Sequence, residues 1–171
     1  MAMKLVAFAI FLLTAIAPLR AQKINVEFDD AAPFSDYRTF AIRQGRLNSK
    51  NPNLNSDLTR KKIDNELRRR LSERGLREVP DHPDLNVVYT LGTTRKVETE
   101  TYPAGWRGLG TRVVRVPYAE GTLVIDLRDT SKRSLVWRAV AVEEKPDAMK
   151  LAGRLEEMIR KSVEKYPPKS K

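Results

Sequence analysis

GTLVIDL at residues 121–127 decides the fold, because apolar side chains recur there at every second position. A period of two predicts a strand, and it places Leu123, Ile125 and Leu127 together on one buried face. A polar turn follows, and residues 135–142 return as a second strand with apolar alternation. The two strands are predicted to form an antiparallel hairpin.

A carboxylate interrupts the first of these strands. Asp126 lies in mid-strand, where an acidic residue is disfavoured. Arg138 on the returning strand is its expected neighbour, and a cross-strand ion pair is the simplest interpretation. Two alternatives stay open. In the first, both residues belong to a ligand- or partner-binding site. In the second, Asp126 and another carboxylate carry the chemistry of a hydrolase.

Outward from the hairpin, the same periodicities predict six strands and two helices in the order β-β-α-β-β-β-β-α. The strands are predicted at residues 23–28, 37–42, 85–101, 112–118, 121–127 and 135–142, the helices at 56–74 and 146–166, and loops at 44–55 and 102–110. Two helices with apolar stripes must bury those stripes, and one face of the sheet can cover both of them. The pattern therefore predicts an α+β fold, a two-layer sandwich of one mixed, mostly antiparallel sheet with two helices packed on one face.

The first residues, Met1–Ala21, have the parts of a secretory signal peptide: a positive start, the apolar run Leu5–Ile16 and a small residue, Ala21, at the cleavage point. The apolar run is shorter than the roughly 20 residues that span a bilayer. We predict cleavage after Ala21, a single domain at 22–168 and a solvated tail at 169–171, with no transmembrane span in the mature chain. A retained signal that anchors the chain in the inner membrane is the alternative.

Composition narrows the possible functions. The chain has no cysteine, one histidine and a net charge of +10 at pH 7. Without cysteine there is no disulfide, no thiolate ligand and no lipid-bearing residue, so a periplasmic or secreted protein without a lipid anchor is expected. His82 alone does not make a zinc site. We predict a non-enzymatic protein with no catalytic residues, no metal and no cofactor, and do not expect nucleic acid as a partner.

The loop YPAGWRGLG at residues 102–110 is the first candidate binding site. Glycines allow close backbone approach, and Tyr102 and Trp106 offer flat aromatic faces beside Arg107. These residues are predicted to bind an envelope protein or an amphiphilic ligand. The alternative is a mobile hairpin tip without a binding role.

The helix at 56–74 is the second candidate. We expect it to be capped by Ser56 or Asn55, to end at Gly75 and to bury a narrow stripe of leucine and isoleucine. The stripe consists of Leu58, Ile63, Leu67 and Leu71, and the exposed cations are Arg60, Lys61, Lys62, Arg68, Arg69, Arg70 and Arg74. Such a face is predicted to bind an anionic lipid or lipopolysaccharide surface, unless it is only solvated.

Several segments together resemble one family. They are F-S-x-Y-x-T-F at residues 34–40 and E-G-T-L-V-I-D-L at 120–127, with shorter matches at 26–28, 51–52, 83–85, 135–138 and 166–168. The chain is similar to the exported, lipoprotein-like bacterial family catalogued as domain of unknown function 4136. The resemblance implies an envelope protein with a single domain. It implies no catalytic residues, because the family has no established activity.

Overall fold

The computed structural model describes residues 22–43, 45–104, 110–145 and 148–169. The strands are β1 Lys23–Phe28, β2 Thr39–Ile42, β3 Arg46–Asn48, β4 Arg77–Glu78, β5 Leu85–Ala104, β6 Gly110–Asp129 and β7 Ser134–Lys145, and the helices are α1 Asp57–Glu73, α2 Ala148–Ala152 and α3 Leu155–Val163. The predicted signal peptide at 1–21 lies outside the described residues, as does the tail beyond Lys169.

The strands form one mixed sheet in the order β1-β7-β6-β5-β2-β4, and β3 also pairs with β5. The pairs β1·β7, β6·β7 and β5·β6 are antiparallel, whereas β2 runs parallel to β4 and β5, and β3 runs parallel to β5. The predicted α+β class with a mostly antiparallel sheet is confirmed.

The core lies between the sheet and the helices. Leu123, Ile125 and Leu127 of β6 are fully buried, as their alternation predicted. Ile63 and Leu67 of α1 are fully buried as well. Burial of apolar surface, at about 25 cal/mol for each Å², is the main force that holds the helices on this face.

Helix α1 begins and ends where the sequence indicated. The hydroxyl of Ser56 accepts a hydrogen bond from the Thr59 backbone N–H. Gly75 follows the helix with φ of +85°, a left-handed conformation that glycine adopts without strain. The prediction that Leu58 belongs to the buried stripe is wrong, because Leu58 is 78% exposed and Thr59 is buried in its place. Four residues before Ile63 comes 59, not 58, so Leu58 lies off the buried face.

The last helix is not continuous. The sequence predicted one helix over 146–166, but α2 ends at Ala152 and α3 begins at Leu155, with a turn at Gly153 between them. Glycine is a poor helix former, which favours the break. A short strand, β3, also appears within the predicted loop at 44–55, and β4 lies before Pro80 in a segment for which no strand or helix was predicted.

The β5–β6 hairpin is much longer than predicted. Its strands pair continuously from Leu85↔Asp129 to Ala104↔Gly110, so the predicted loop at 102–110 is replaced by strand at both of its ends. The two predicted strands at 112–118 and 121–127 are one strand that runs through Pro117. β7 pairs with β6 only from Ala119 onward. Because β7 does not reach Pro117, the missing N–H of this proline removes no ladder bond on the side of β6 that faces away from β5.

Candidate functional site

The outer half of this hairpin projects from the sheet as a two-stranded arm, residues 96–104 of β5 and 110–118 of β6. Among the described residues, no strand pairs with β5 beyond Gly92 except β6, and none pairs with β6 before Ala119 except β5. Nine residue pairs, Lys96↔Tyr118 to Ala104↔Gly110, therefore extend roughly 30 Å at about 3.3 Å for each residue. Both long edges of the arm have unpaired backbone groups.

The arm carries the first predicted site. Tyr102 is not in a loop but in β5, paired with Arg112. Trp106 and Arg107 lie outside the described residues. Of the predicted aromatic site, the structure therefore locates Tyr102 alone, near the far end of the arm.

Exposed valines and exposed arginines characterise the described part of the arm. Val97 and Val113 are 59% and 61% exposed, and Arg112 and Arg115 are exposed as well. Among the arm side chains that the structure describes, which do not include those of Glu98 and Glu100, no acidic group lies within 4 Å of either arginine. The nearby Lys96, by contrast, pairs with Glu120 at 2.6 Å.

Asp126 and Arg138 form the predicted cross-strand pair. They are directly opposite in the β6·β7 register. Nε of Arg138 donates to Oδ1 of Asp126 at 2.7 Å, and a terminal guanidinium nitrogen donates to Oδ2 at 2.8 Å. This bidentate bond raises the pKa of Arg138. Both carboxylate oxygens already accept from Arg138, so the geometry favours the structural interpretation.

The cations of α1 are largely paired within the protein. Arg68 contacts Glu78, and Lys62 contacts Glu156 at 3.3 Å. The hydrogen bonds from Arg70 and Arg69 lower the pKa of Glu66 against the opposing effect of its burial. Arg60 donates to the Gly45 carbonyl. Of the seven cations in the proposed anionic-surface site, Lys61 and Arg74 are the two without an ion pair among the described residues.

A cleft that the sequence did not indicate opens at the end of the sheet opposite the arm. It has a volume of about 570 Å³ and is lined by Phe28, Asp30, Ala32–Ser35, Pro167 and Pro168. β1 ends at the cleft with Phe28, opposite Trp137. No periodicity could reveal the cleft, because its walls come from the two ends of the domain. The only sequence signal was that both walls contain segments that carry the family resemblance.

An aromatic cluster supports the cleft from below. The ring of Phe34 makes edge-to-face contacts with Phe28, Tyr37 and Tyr166, at centroid distances of 6.2, 6.1 and 5.9 Å. Tyr166 makes a similar contact with Trp137 at 5.9 Å. Burial raises the pKa of Tyr166 to about 12. Such contacts fix ring orientations, so the wall is preformed.

Two carboxylates tether the chain segment that follows the cleft wall. Asp84 accepts hydrogen bonds from the backbone N–H groups of Arg38 and Thr39 and from the Thr39 hydroxyl. These bonds, that of Arg38 first, lower the pKa of Asp84. The hydroxyl of Tyr37 donates to Asp129 at 2.8 Å. Both tethers join the segment to the same end of the β5·β6 pairing, where Leu85 lies opposite Asp129.

The Asp129 tether makes stability depend on pH. The backbone N–H of Lys132 above all, with the hydroxyls of Ser131 and Tyr37, lowers the pKa of Asp129 from 3.8 to about 2 against the effect of burial. A lowered folded-state pKa means that this stability is complete above about pH 5 and is lost as the pH falls toward 2. We expect a loss of about 2 kcal/mol from this group.

Urea unfolding of the wild type and Asp129→Asn at pH 5 and pH 2 measures this loss. The wild type should be more stable at pH 5, and the difference between the two proteins should shrink by about 2 kcal/mol at pH 2. A difference that does not change with pH would show that Asp129 has an ordinary pKa.

Comparison with protein families identifies the domain. Residues 24–168 match the family described as Domain of unknown function (DUF4136). The chain belongs to this family. The match covers most of the chain and confirms the resemblance, but the family's function is not known. No curated protein sequence matches this DUF4136 domain significantly.

Two solved structures show the same fold. A PDZ domain protein from Parabacteroides distasonis is 15% identical, with a TM-score of 0.59 over 86% of this chain. The DUF4136 chain covers 35% of that protein's length, about a third. A PelC dodecamer from Paraburkholderia phytofirmans is 14% identical, with a TM-score of 0.50 over 84% of this chain and 95% of its own. At these identities the likeness extends to the fold alone.

Two further properties of the DUF4136 domain concern metals and membranes. Within the described residues, no three acidic or histidine side chains come close enough together to hold a metal ion. None of the helices in the described part of the chain combines the length and the apolar character needed to cross a bilayer.

Proposed function

We propose that this chain is an exported, non-enzymatic protein of the cell envelope that binds a partner protein through the arm. The observation that carries the proposal is the arm itself, a ribbon of nine residue pairs with two unpaired edges. An isolated two-stranded ribbon is marginally stable in water. A third strand added to one edge would complete its backbone hydrogen bonds. The signal-like sequence at 1–21 supports export, and the family match is consistent with it.

The edge of β6 is the better docking edge. Residues 111–119 contain Arg112 and Arg115 and no acidic residue. Side chains alternate along a strand, so Val113 and Arg115 lie on one face, and Arg112 and Val114 lie on the other. By sequence, each face of this edge thus has one cation and two β-branched residues. A partner strand that complements this edge is extended and contains both β-branched and acidic residues.

Charge spacing makes the partner's chemistry more specific. Arg112 and Arg115 are three residues apart, so a paired strand needs acidic residues three positions apart to reach both. Opposite charges across paired strands contribute roughly 0.2–1 kcal/mol for each pair, and backbone bonds of strand addition supply the rest. The cations of α1 support an anionic-surface role less well, because most of them are paired internally.

A peptide of sequence Thr-Glu-Val-Thr-Glu-Val-Thr-Glu tests the proposal by fluorescence anisotropy with the protein from residue 22 onward. One control peptide replaces all three glutamates by lysine, and the other replaces the first valine by proline. We expect binding of the acidic peptide alone. Arg115→Glu should weaken it several-fold, up to about thirtyfold, because an attractive cross-strand charge of up to about 1 kcal/mol becomes a repulsive one of similar size.

Lys132→Glu is the matched control. It makes the same change in net charge on an exposed residue in the turn at the far end of the sheet, and binding should stay within twofold of the wild type. Equal weakening by both substitutions would show only general charge attraction. Equal binding of the proline peptide would exclude strand addition, and no binding of the acidic peptide would overturn the proposal.

A further inference from the structure

We infer that the cleft between Phe34 and the Pro167-Pro168 segment binds an amphiphilic cation, an ammonium or guanidinium group attached to an apolar body. This site is separate from the arm. Phe28 at the cleft aligns through Trp137 with Leu127 of β6, whereas β6 enters the arm beyond Ala119. The eight residues between Leu127 and Ala119 correspond to about 26 Å of strand.

The walls of the cleft suit an apolar group. Phe28, Phe34, Pro33 and Pro168 are half-buried, so they present apolar surface to the cleft, and the two phenylalanines also pack against the core. A volume of about 570 Å³ lies within the range of sites for small organic ligands, roughly 300–1,000 Å³. The edge-to-face contacts of Phe34 hold its ring in place, so little ordering is needed on binding.

The charge of the lining selects a cation. Asp30 is the one charged residue among the described residues that line the cleft, and its carboxylate has no hydrogen-bond or ion-pair partner in the part of the chain that the structure describes. The adjacent Asp29 differs, since its Oδ1 accepts from the Ala31 N–H at 2.9 Å. An unpaired carboxylate beside aromatic rings attracts an ammonium or guanidinium group, and both features disfavour an anion.

Three probes of the same shape test this inference: 4-phenylbutylamine, 4-phenylbutanol and 4-phenylbutyrate. Each is titrated into the protein from residue 22 onward, and binding is followed by the NMR shifts of cleft residues. We expect the amine to bind at least fivefold more tightly than the alcohol, and the carboxylate to bind more weakly than both.

Asp30→Asn separates the charge from the apolar contribution. Asp30 is exposed, so the variant should fold, and the amine should then bind like the alcohol while the affinity of the alcohol stays unchanged. Asp81→Asn, an exposed aspartate that does not line the cleft, should change nothing.

Three results would overturn the inference: no shifts at the cleft with any probe, a carboxylate that binds as tightly as the amine, or an unchanged preference for the amine in Asp30→Asn. None of these depends on the arm, so the inference and the proposed function fail or hold separately.

Discussion

Replacing Trp137 by alanine is expected to lower the free energy of unfolding by about 4 kcal/mol. Trp137 is fully buried in β7 and packs edge-to-face on Tyr166. Its removal leaves a cavity beneath the aromatic cluster and withdraws support from Tyr166, which contacts the cleft residue Phe34. A domain of this size is stable by roughly 5–15 kcal/mol, so the substitution removes a large share.

Urea unfolding followed by far-UV circular dichroism measures this loss without relying on the tryptophan signal. Leu58→Ala is the matched control, because Leu58 is 78% exposed and its truncation should cost less than about 0.5 kcal/mol. Trp137→Phe keeps a ring at the site and should cost less than Trp137→Ala. A loss below 1 kcal/mol in Trp137→Ala would contradict the packing described for the cluster.

Gly45→Ala is expected to cost about 3 kcal/mol, although it adds a single methyl group. A Cβ at Gly45 would lie 2.1 Å from the ring carbons Cε2 and Cζ of Tyr89. The ring cannot move away easily, because Tyr89 is 1% exposed and its hydroxyl donates to Asp64 at 2.7 Å. The Gly45 carbonyl is also held, as it accepts a hydrogen bond from Arg60.

Gly92→Ala provides the control for this clash. A Cβ at Gly92 meets no atom within 4 Å, and alanine in a strand should be neutral or stabilising by about 0.5 kcal/mol. Tyr89→Leu in the Gly45→Ala background removes the ring, and the double variant should be less destabilised than the sum of the two single effects. Strict additivity would show that Gly45 and Tyr89 are not in contact.

The sequence predicted those parts of the fold that depend on local pattern. Alternation identified β1 and the β6–β7 hairpin, and the Asp126–Arg138 pair followed from strand register. The ends of α1 followed from Ser56 and Gly75, because capping is decided by one or two residues.

What the sequence could not predict depends on distant residues. Proline normally ends a strand, yet Pro117 is accommodated because β7 stops two residues away in the register. From the sequence alone, the cations of α1 could all face solvent. In the structure, Glu78 and Glu156 from other elements pair with Arg68 and Lys62. The cleft joins residues from both ends of the domain, so no local pattern contained it.

The pairing of β1 with β7 affects how the chain can be assembled. β1 is made first, but its only strand partner within the described chain is β7, and every other strand lies between the two in the sequence. At a translation rate of about 5–20 residues for each second, β1 waits on the order of ten seconds for β7. During that time Ile24, Val26 and Phe28 have no strand to pair with, so this nascent segment is a natural target for a chaperone that holds extended apolar segments.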